Sequence, residues 1–476
     1  MTDEQLFFLE IGELARLLHT RKLSPVELTQ SMLERIARTD KHLGAYARVT
    51  PELALEQARD AEKLLMQHRI LGPLHGVPIG LKDLCFTKGI ATAAGMPMHR
   101  NFIPTFNGTV VSRLRDAGAV TLGKLQMTEG AFADHHPSVP PPVNPWHPDH
   151  WSGASSSGSG VATAAGLCYG SIGTDTGGSI RFPCAANGVT GIKPTWGRVS
   201  VNGAYELAAS LDHIGPMCRS ALDAGAMLGI IAGADPRDPT ARQEPVPDYL
   251  AGNERDLRGV RIGIDAEYSS SGVDETMRRA FENTRGVLAD LGADLRSVKF
   301  PDPADAINDW GAQCSVETAA AHAATYPARR SEYGPGLGGF IAMGREVKAL
   351  DLQEVWKRRR RFTGRVAALF ETIDLLLIPA QPMASPTNAQ MAMLGQDPNA
   401  FATLVKFTAP FNTTGSPTIT FPAGFTRQGT PVAMQFVARH MDEALLVRAG
   451  RAFQRETDWH RRRPQLSMPA RGFHSL

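Results

Sequence analysis

The stretch WSGASSSGSGVATAAGLCYGSIGTDTGGSIRFP, residues 151–183, decides the fold class of this 476-residue chain. It begins with a turn rich in glycine and serine, which runs into the apolar sequence VATAAGLCYGSIG. A flexible linker is flanked by polar sequence, whereas this turn leads into a run that must be buried. A nucleotide-phosphate loop is disfavoured because no third glycine follows Gly158 and Gly160 at the required spacing. The stretch therefore predicts a turn that is built into the protein core.

Short apolar runs of the same kind recur on both sides of this stretch. GPLHGVPIGLKDL, AVTLGKL and VRIGIDA are punctuated by glycine or proline and alternate with helical patterns. Such alternation is typical of an α/β fold with a substantially parallel sheet. There is no repeat of fixed period.

The sequence pattern divides the chain into two segments, residues 1–70 and residues 71–476. The first segment has helical spacing throughout, and Ser24, Pro25 and Glu27 occupy the N-cap, N1 and N3 positions of a capping box. We expect it to form a helical layer packed on the core. The polar, proline-rich residues 234–256 are interpreted as a surface connection, because strand-like runs resume after them without need of a second core. The whole chain is then one compact domain.

Charge and cysteine usage restrict the class of partner. Fifty basic and 48 acidic residues leave a formal charge of +2, which favours a small or neutral substrate over nucleic acid or an anionic membrane. The basic run KRRRR at 357–361 could be a nuclear or nucleic-acid signal, but it lies in a helical pattern and is interpreted as a solvated helix face. Five cysteines without CxxC spacing, and an N-terminus without signal-peptide features, predict a cytoplasmic protein with reduced thiols.

The motif GTDTGGSIR at 173–181 carries the chemistry. Ser179 follows two glycines, so the backbone amides of Thr176, Gly177, Gly178 and Ser179 can converge on one point as an oxyanion hole. A serine nucleophile needs a base. Histidine is the usual one, but there is no GxSxG elbow. The histidines considered and interpreted as structural are His75, His135, His136 and His213.

Lys82 is the alternative base. It stands in GVPIGLKDL, where apolar residues alternate around it as in a buried strand. Burial disfavours the charged ammonium, so its pKa falls and the free amine can accept a proton. The competing interpretation is an ion pair with the adjacent Asp83. From these residues alone, both interpretations stay open.

Two motifs resemble those of the amidase signature family. The family's GGSSGGS and GTDTGGSIRxP patterns correspond to GASSSGS at 153–159 and GTDTGGSIRFP at 173–183, with Ser179 24 positions after Ser155. GVPIGLKD at 76–83, the segments within 190–216 and FTAPFNTTGSPTITFPAG at 407–424 extend the resemblance over most of the chain. Ala154 and Ser157 stand where glycine is usual, which affects local turn geometry and no catalytic group.

The resemblance implies a complete reaction centre without metal or cofactor. Ser179 falls on the nucleophile, Ser155 on a bridging serine in a cis peptide, and Lys82 on the base. The segment from Thr176 to Ser179 matches the oxyanion loop, which Asp175 and Arg181 support through hydrogen bonds. The fold implied is a large twisted, mixed and mainly parallel sheet covered by helices on both faces.

The resemblance is to stand-alone members that act on aryl or other hydrophobic amides, carbamates or oligoamides. We expect a small-molecule amide or carbamate substrate, an acyl-enzyme intermediate, and a monomer or homodimer. The substrate pocket is expected in loops 125–145 and 305–345. Cys314 is considered both as a pocket residue and as a buried structural thiol, and the other candidate pocket residues are Met127, Phe132, Tyr205, Leu207 and Phe340.

Three other functions compete with this one. The first is an amidotransferase A-type component that releases ammonia from glutamine for a tRNA-dependent partner, but Phe182 stands where that branch has glutamine, and residues 312–334 lack a clear match to its glutamine-binding stretch. A non-enzymatic scaffold is disfavoured because all three catalytic positions are filled. A zinc hydrolase is disfavoured because HPDH at 147–150 and the His135–His136 pair lack the HExxH arrangement.

Overall fold

The computed structural model describes residues 3–394 and 398–466. Within them, eleven strands form one sheet in the order β1-β3-β2-β4-β6-β5-β10-β11-β9-β7-β8. The strands are Tyr46–Val49 (β1), Pro78–Lys82 (β2), Val120–Leu125 (β3), Gly170–Asp175 (β4), Thr190–Lys193 (β5), His213–Cys218 (β6), Arg261–Ile264 (β7), Asp294–Ser297 (β8), Leu375–Pro379 (β9), Thr418–Phe425 (β10) and Pro431–Ala438 (β11).

Parallel pairing occurs in two blocks of the sheet. One block is β3-β2-β4 and the other is β9-β7-β8, whereas the strands between β4 and β9 pair antiparallel. Parallel strands need a long crossover, but β10 and β11 are joined by a short turn. The mixed α/β sheet is confirmed, and its parallel character is confined to these two blocks.

Helices cover both faces of this sheet. Every residue of β2, β3, β4, β6, β9 and β11 is buried, so side chains on both faces of these strands are shielded from water. None of the helices in the described residues is long and apolar enough to cross a membrane. The helices are Asp3–Leu6 (α1), Ile11–His19 (α2), Pro25–Leu43 (α3), Pro51–Met66 (α4), Thr109–Asp116 (α5), Ser157–Ala164 (α6), Arg181–Asn187 (α7), Ala221–Ile231 (α8), Ala266–Ser270 (α9), Glu275–Asp290 (α10), Ala304–Ala321 (α11), Tyr326–Arg329 (α12), Pro335–Glu346 (α13), Ala349–Thr372 (α14), Asn388–Leu394 (α15), Pro398–Leu404 (α16), Ala409–Thr413 (α17) and Glu443–Glu456 (α18).

The N-terminal segment is helical with one exception. Ser24 caps α3 by accepting hydrogen bonds from the amides of Val26 and Glu27, at 3.1 and 3.2 Å. The expectation of helices throughout is wrong at β1, which adds to the sheet edge by antiparallel pairing with β3. Four residues without clear alternation carry little strand signal, and the pairing depends on tertiary contact. The ends of the two predicted segments, residues 1–2 and 467–476, and the internal residues 395–397 lie outside the described residues.

Residues 234–256 run along the surface, with most side chains exposed. Arg198, which is itself buried, donates hydrogen bonds to the carbonyl oxygens of Glu244 and Pro245 at 2.8 Å each, and to the Tyr249 hydroxyl at 2.6 Å. Residues 234–256 therefore form a surface connection that the Arg198 hydrogen bonds attach to the core.

The basic run on α14 is more than a solvated face. Arg358 forms an ion pair with Asp309 of α11 at 2.7 Å. Arg359 donates to the Thr413 carbonyl at 2.7 Å and to the Ser210 hydroxyl at 2.9 Å, and burial lowers its pKa to about 10. Two of the arginines therefore attach α14 to its neighbours, which a helical periodicity alone does not reveal.

Candidate active site

Two neighbouring parallel strands end together at one edge of the sheet. Lys82 is the last residue of β2, and Asp175 is the last residue of β4. Leu81 faces Ile172 in the register between them, which brings Lys82 level with the residues just before Asp175. Carboxyl ends of parallel strands form the common site of ligand binding in α/β sheets.

The Lys82 side chain is held by two hydroxyl groups. Its Nζ donates to Ser155 Oγ and to Thr174 Oγ1, at 2.7 Å each. The side chain is fully buried, and this burial lowers its pKa to about 7. An amine with this pKa is largely uncharged slightly above neutral pH.

The ion pair between Lys82 and Asp83 does not form. Asp83 Oδ1 instead lies 3.9 Å from Nζ of Lys124 on β3. Successive side chains of an extended segment point to opposite faces, so adjacent residues at a strand end are poorly placed to pair. The alternation of apolar residues in GVPIGLKDL already indicated that Lys82 and Asp83 point to opposite faces.

The Gly/Ser turn brings Ser155 to the Lys82 amine and lies against the loop that carries Ser179. The peptide bond from Ala154 to Ser155 is cis. The amide of Ser156 donates to the Ser179 carbonyl at 3.4 Å, and Ser156 Oγ donates to the Thr174 carbonyl at 3.2 Å. These bonds fasten the turn both to the end of β4 and to the loop that carries Ser179.

Ser179 is the point at which this motif reaches the surface. Every other residue from 152 to 195 is buried, whereas Ser179 is partly exposed. A hydroxyl that is accessible within an otherwise buried segment can meet a ligand that enters from solvent.

The loop before Ser179 presents backbone N–H groups with no acceptor. Within the described residues, the amides of Thr176, Gly177 and Ser179 donate no hydrogen bond. The amide of Gly178 differs, because it donates to Asp175 Oδ1 at 2.8 Å. Three of the four amides predicted for an oxyanion hole are therefore free to bind a ligand oxygen, and the fourth is used to hold the loop.

Both glycines of this loop are required by close packing. A Cβ at Gly177 would lie 2.4 Å from the Trp310 ring, and one at Gly178 would lie 2.3 Å from the Phe182 ring. Gly178 also has φ of +138°, which side-chain-bearing residues rarely adopt.

Asp175 organises the loop through a buried ion pair. It accepts from Arg181 at 2.8 and 3.0 Å, and from the amide of Ile180 at 3.1 Å. Although burial opposes ionisation, the Arg181 guanidinium holds the pKa of Asp175 below its ordinary value. Asn412 on α17 bonds both partners, donating to Asp175 Oδ1 at 2.9 Å and accepting from Arg181 at 2.5 Å. Asn412 is not predicted from the sequence, where its only signal is its place in the segment 407–424.

A cavity of about 50 Å³ adjoins the Lys82 side of the site. Thr174 and Thr176 line it together with Asp212, whose pKa burial raises to about 7. Asp212 accepts from Thr176 Oγ1 at 2.6 Å. The predicted pocket residues that line this cavity are Tyr205 and Leu207.

The other predicted pocket residues lie elsewhere. Phe132 and Phe340 stack on each other with ring centroids 4.1 Å apart. Met127 is fully buried, but the amide of its neighbour Thr128 donates to the Ser155 carbonyl at 3.2 Å. Cys314 is fully buried on α11, and burial raises the pKa of its thiol well above the ordinary value, which describes an inert thiol.

The four histidines make structural contacts. His213 Nδ1 lies 2.6 Å from the Leu211 carbonyl, and His135 Nε2 lies 3.2 Å from Ser157 Oγ. His75 accepts from the Leu71 amide, and His136 from that of Ser138. Across residues 3–394 and 398–466, no three His, Cys, Asp or Glu side chains come together in a metal-binding arrangement.

Comparison with known proteins gives a consistent result. The sequence matches the protein-family model described as Amidase over residues 27–447. A protein named amidase AmiD from Mycobacterium tuberculosis is 51% identical over 474 residues, which is 98% of each chain. The A-type component of glutamyl-tRNA(Gln) amidotransferase from Geobacter sp. is 36% identical over 97% of this chain and 100% of its own. The structure of peptide amidase from Stenotrophomonas maltophilia has a TM-score of 0.83 at 29% identity, covering 96% of this chain and 99% of that one.

Proposed function

Because this chain belongs to the amidase family, we propose that it hydrolyses the C–N bond of amides through an acyl-enzyme on Ser179. Lys82 is the base, and Ser155 passes protons between Ser179 and Lys82. The observation that carries this assignment is the hydrogen bond of 2.7 Å between Lys82 and Ser155, made by a buried lysine whose pKa is lowered to about 7. A lysine held by hydroxyl groups, with no carboxylate of residues 3–394 and 398–466 within ion-pair distance, is suited to accepting a proton.

In acylation, proton transfers towards Lys82 and back accompany the replacement of the C–N bond by a bond to Ser179. Neutral Lys82 keeps an N–H on Thr174 and takes the Ser155 proton on its lone pair, while Ser155 takes the proton of Ser179. Ser179 Oγ forms a bond to the amide carbon, and the carbonyl oxygen becomes an oxyanion bound by the free amides of Gly177 and Ser179. Protonated Lys82 then returns a proton through Ser155 to the leaving nitrogen, and the C–N bond breaks.

Deacylation repeats the relay with water. Lys82, neutral again, draws a proton through Ser155 from a water molecule that attacks the ester carbon. The tetrahedral intermediate collapses, the Ser179 Oγ–carbon bond breaks, and the proton returns to Ser179. The products are a carboxylic acid and an amine, with no net change in the enzyme.

The surroundings of Ser179 favour apolar substrates. Phe182 and Trp310 pack against Gly178 and Gly177, and the Trp151 ring lies 5.8 Å from Phe182. Aromatic rings beside the reaction centre favour aryl or other hydrophobic acyl groups. Because a carbamate presents the same carbonyl to the nucleophile, we expect urethanes to be cleaved as well.

The experiment is a panel assayed on the purified single chain. We expect kcat/KM to be greatest for aryl anilides, lower for short aliphatic amides, and lowest for glutamine, with measurable cleavage of aryl carbamates. The Ser179→Ala variant, assayed beside the wild type, should lose turnover on every substrate. Turnover that survives Ser179→Ala would contradict the nucleophile, and a preference for short aliphatic amides would contradict the substrate class.

The relatives named as A-type components of an amidotransferase favour a second candidate. In that role the chain would hydrolyse glutamine and pass ammonia to a partner protein. Against it stands Phe182, an apolar ring against Gly178 where that branch has glutamine. Glutaminase activity that appears only on addition of a partner protein would establish this alternative.

A further inference from the structure

The geometry points to Trp310 as a positioning residue for the oxyanion hole. Trp310 lies on α11, outside the motifs that resemble the family's signature. We infer that its indole N–H fixes the rotation of the peptide between Thr176 and Gly177, and so aims the Gly177 N–H at the developing oxyanion. The inference rests on the proposed function, in which Ser179 attacks and Gly177 binds the oxyanion.

One hydrogen bond sets the direction of the peptide. Trp310 Nε1 donates to the Thr176 carbonyl oxygen at 2.8 Å. A trans peptide is planar, so the carbonyl of Thr176 and the N–H of Gly177 point in opposite directions. Holding the carbonyl against Trp310 therefore turns the Gly177 N–H away from the indole. Within the described residues that N–H has no acceptor, which leaves it available to a ligand.

The indole is itself held in place by packing. Trp310 is 5% exposed, and its ring centroid lies 5.8 Å from that of Phe401. A Cβ at Gly177 would lie 2.4 Å from its Cζ2, so the ring occupies the space that any larger residue at 177 would need. Because Gly177 has no side chain, the Trp310 ring can reach the peptide between Thr176 and Gly177.

A second anchor acts on the same residue from another side. Thr176 Oγ1 donates to Asp212, which also accepts from the amides of Leu207 and Ala208 at 3.0 and 3.1 Å. That anchor holds the side chain of Thr176, whereas Trp310 holds its carbonyl. The rotation of the peptide plane, which decides where the Gly177 N–H points, depends on the tryptophan bond.

The test replaces the indole N–H and keeps an aromatic ring. In Trp310→Phe we expect kcat to fall by about 10- to 100-fold, since loss of an oxyanion donor costs about 10²–10³ and a misaligned donor less. KM should change by less than about threefold, because the donor acts mainly in the transition state. The pH midpoint of kcat/KM should not move, because the Lys82 relay is intact. Affinity for an aryl trifluoromethyl ketone, which forms a tetrahedral adduct, should fall in proportion to kcat/KM.

Matched variants separate positioning from packing. Phe401→Leu keeps an apolar side chain against Trp310 and leaves the indole N–H in place, so kcat should stay within about threefold of wild type. If Trp310→Phe does not fold, benzothienylalanine at position 310 substitutes sulfur for the N–H in a ring of nearly equal shape, and the same fall in kcat is expected.

The Ser179→Ala variant distinguishes failure of the positioning role from failure of the proposed function. If Ser179→Ala is inactive and both replacements at 310 keep the wild-type kcat, the positioning role is wrong and the proposed function stands. A fall in kcat with an equal loss of ground-state affinity, or an equal effect of Phe401→Leu, would also overturn the positioning role. If Ser179→Ala remains active, the proposed function itself fails.

Discussion

The Nζ of Lys82 and the Oγ of Ser155 are 2.7 Å apart, although the two residues are separated by 73 positions in the chain. No carboxylate of the described residues lies within ion-pair distance of this lysine. A buried cation without a counterion is costly, and the cost is relieved when the amine loses its proton. The relationship therefore supplies an uncharged base next to a hydroxyl, from which the following predictions are drawn.

The first prediction concerns pH. We expect kcat/KM for an amide limited by chemistry to rise with pH, to be half-maximal near pH 7, and to level off towards pH 9. The base must be neutral, and burial lowers the pKa of Lys82 to about 7, so activity is lost on the acid side as the amine is protonated. A pH–rate profile between 6 and 9 checks this. A flat or falling profile would show that Lys82 is not the base.

The second prediction concerns the bridge. Ser155→Ala should lower kcat by about 10²–10⁴ with little change in KM, because proton transfer by a positioned group contributes that much to the rate. The control is Ser157→Ala in the same turn, whose hydroxyl contacts His135 and not Lys82. Steady-state kinetics on one anilide suffices. Equal losses in the two variants would mean that the turn, and not the Ser155 hydroxyl, is what matters.

The third prediction concerns Thr174, which donates nothing to the relay but accepts from Lys82 at 2.7 Å. Its hydroxyl stabilises the protonated amine, since an ammonium group has three N–H donors to satisfy. Thr174→Val should therefore move the pH midpoint to lower values and lower kcat, whereas Thr174→Ser should keep both. A midpoint that rises in Thr174→Val would contradict this role for the hydroxyl.

The fourth prediction concerns stability. Asp175→Asn should lower the free energy of unfolding by about 3–5 kcal/mol, because it leaves the fully buried Arg181 without its charge partner. The control is Glu282→Gln, which breaks the exposed pair with Arg285 on α10 and should leave stability nearly unchanged. Urea denaturation followed by circular dichroism measures both. A loss for Asp175→Asn no larger than that of the control would show that the pair does not hold the loop.

The fifth prediction concerns the glycine before the nucleophile. Gly178→Ala should lose acylation, because a Cβ would lie 2.3 Å from the Phe182 ring and the φ of +138° is strained for alanine. Gly286→Ala on α10, where a Cβ meets no atom within 4 Å, is the control and should keep full activity. Burst kinetics with a chromogenic anilide reports acylation directly. Wild-type burst amplitude in Gly178→Ala would mean that the loop adapts.

The parts of the candidate site that lie in contiguous motifs can be predicted from the sequence. Ser155, Ser179 and Lys82 could be proposed as the reaction centre because each sits in a motif of several residues, and the α/β class followed from alternating apolar runs. Thr174 was missed although it lies within GTDTGGSIR, because its contact with Lys82 depends on the register between β2 and β4. No tight turn joins these two strands to set their register, which depends on how their buried faces pack.

The residues that the sequence does not predict contact partners that are distant in the chain. Asn412 reaches Arg181 from 231 positions away, and Trp310 reaches Thr176 from 134. Trp310 lies outside the motifs of the resemblance, and Asn412 lies in the segment 407–424 without a local pattern that indicates its partner. The antiparallel centre of the sheet was also missed, since strand direction follows from connections whose path a linear pattern does not record.

The most direct measurement is the site of covalent modification by a fluorophosphonate probe. After reaction with the purified chain, peptide mapping by mass spectrometry should find the adduct on Ser179, absent from Ser179→Ala and retained in Ser157→Ala. An adduct on any other residue, or labelling that persists in Ser179→Ala, would contradict the assignment of Ser179 as the nucleophile.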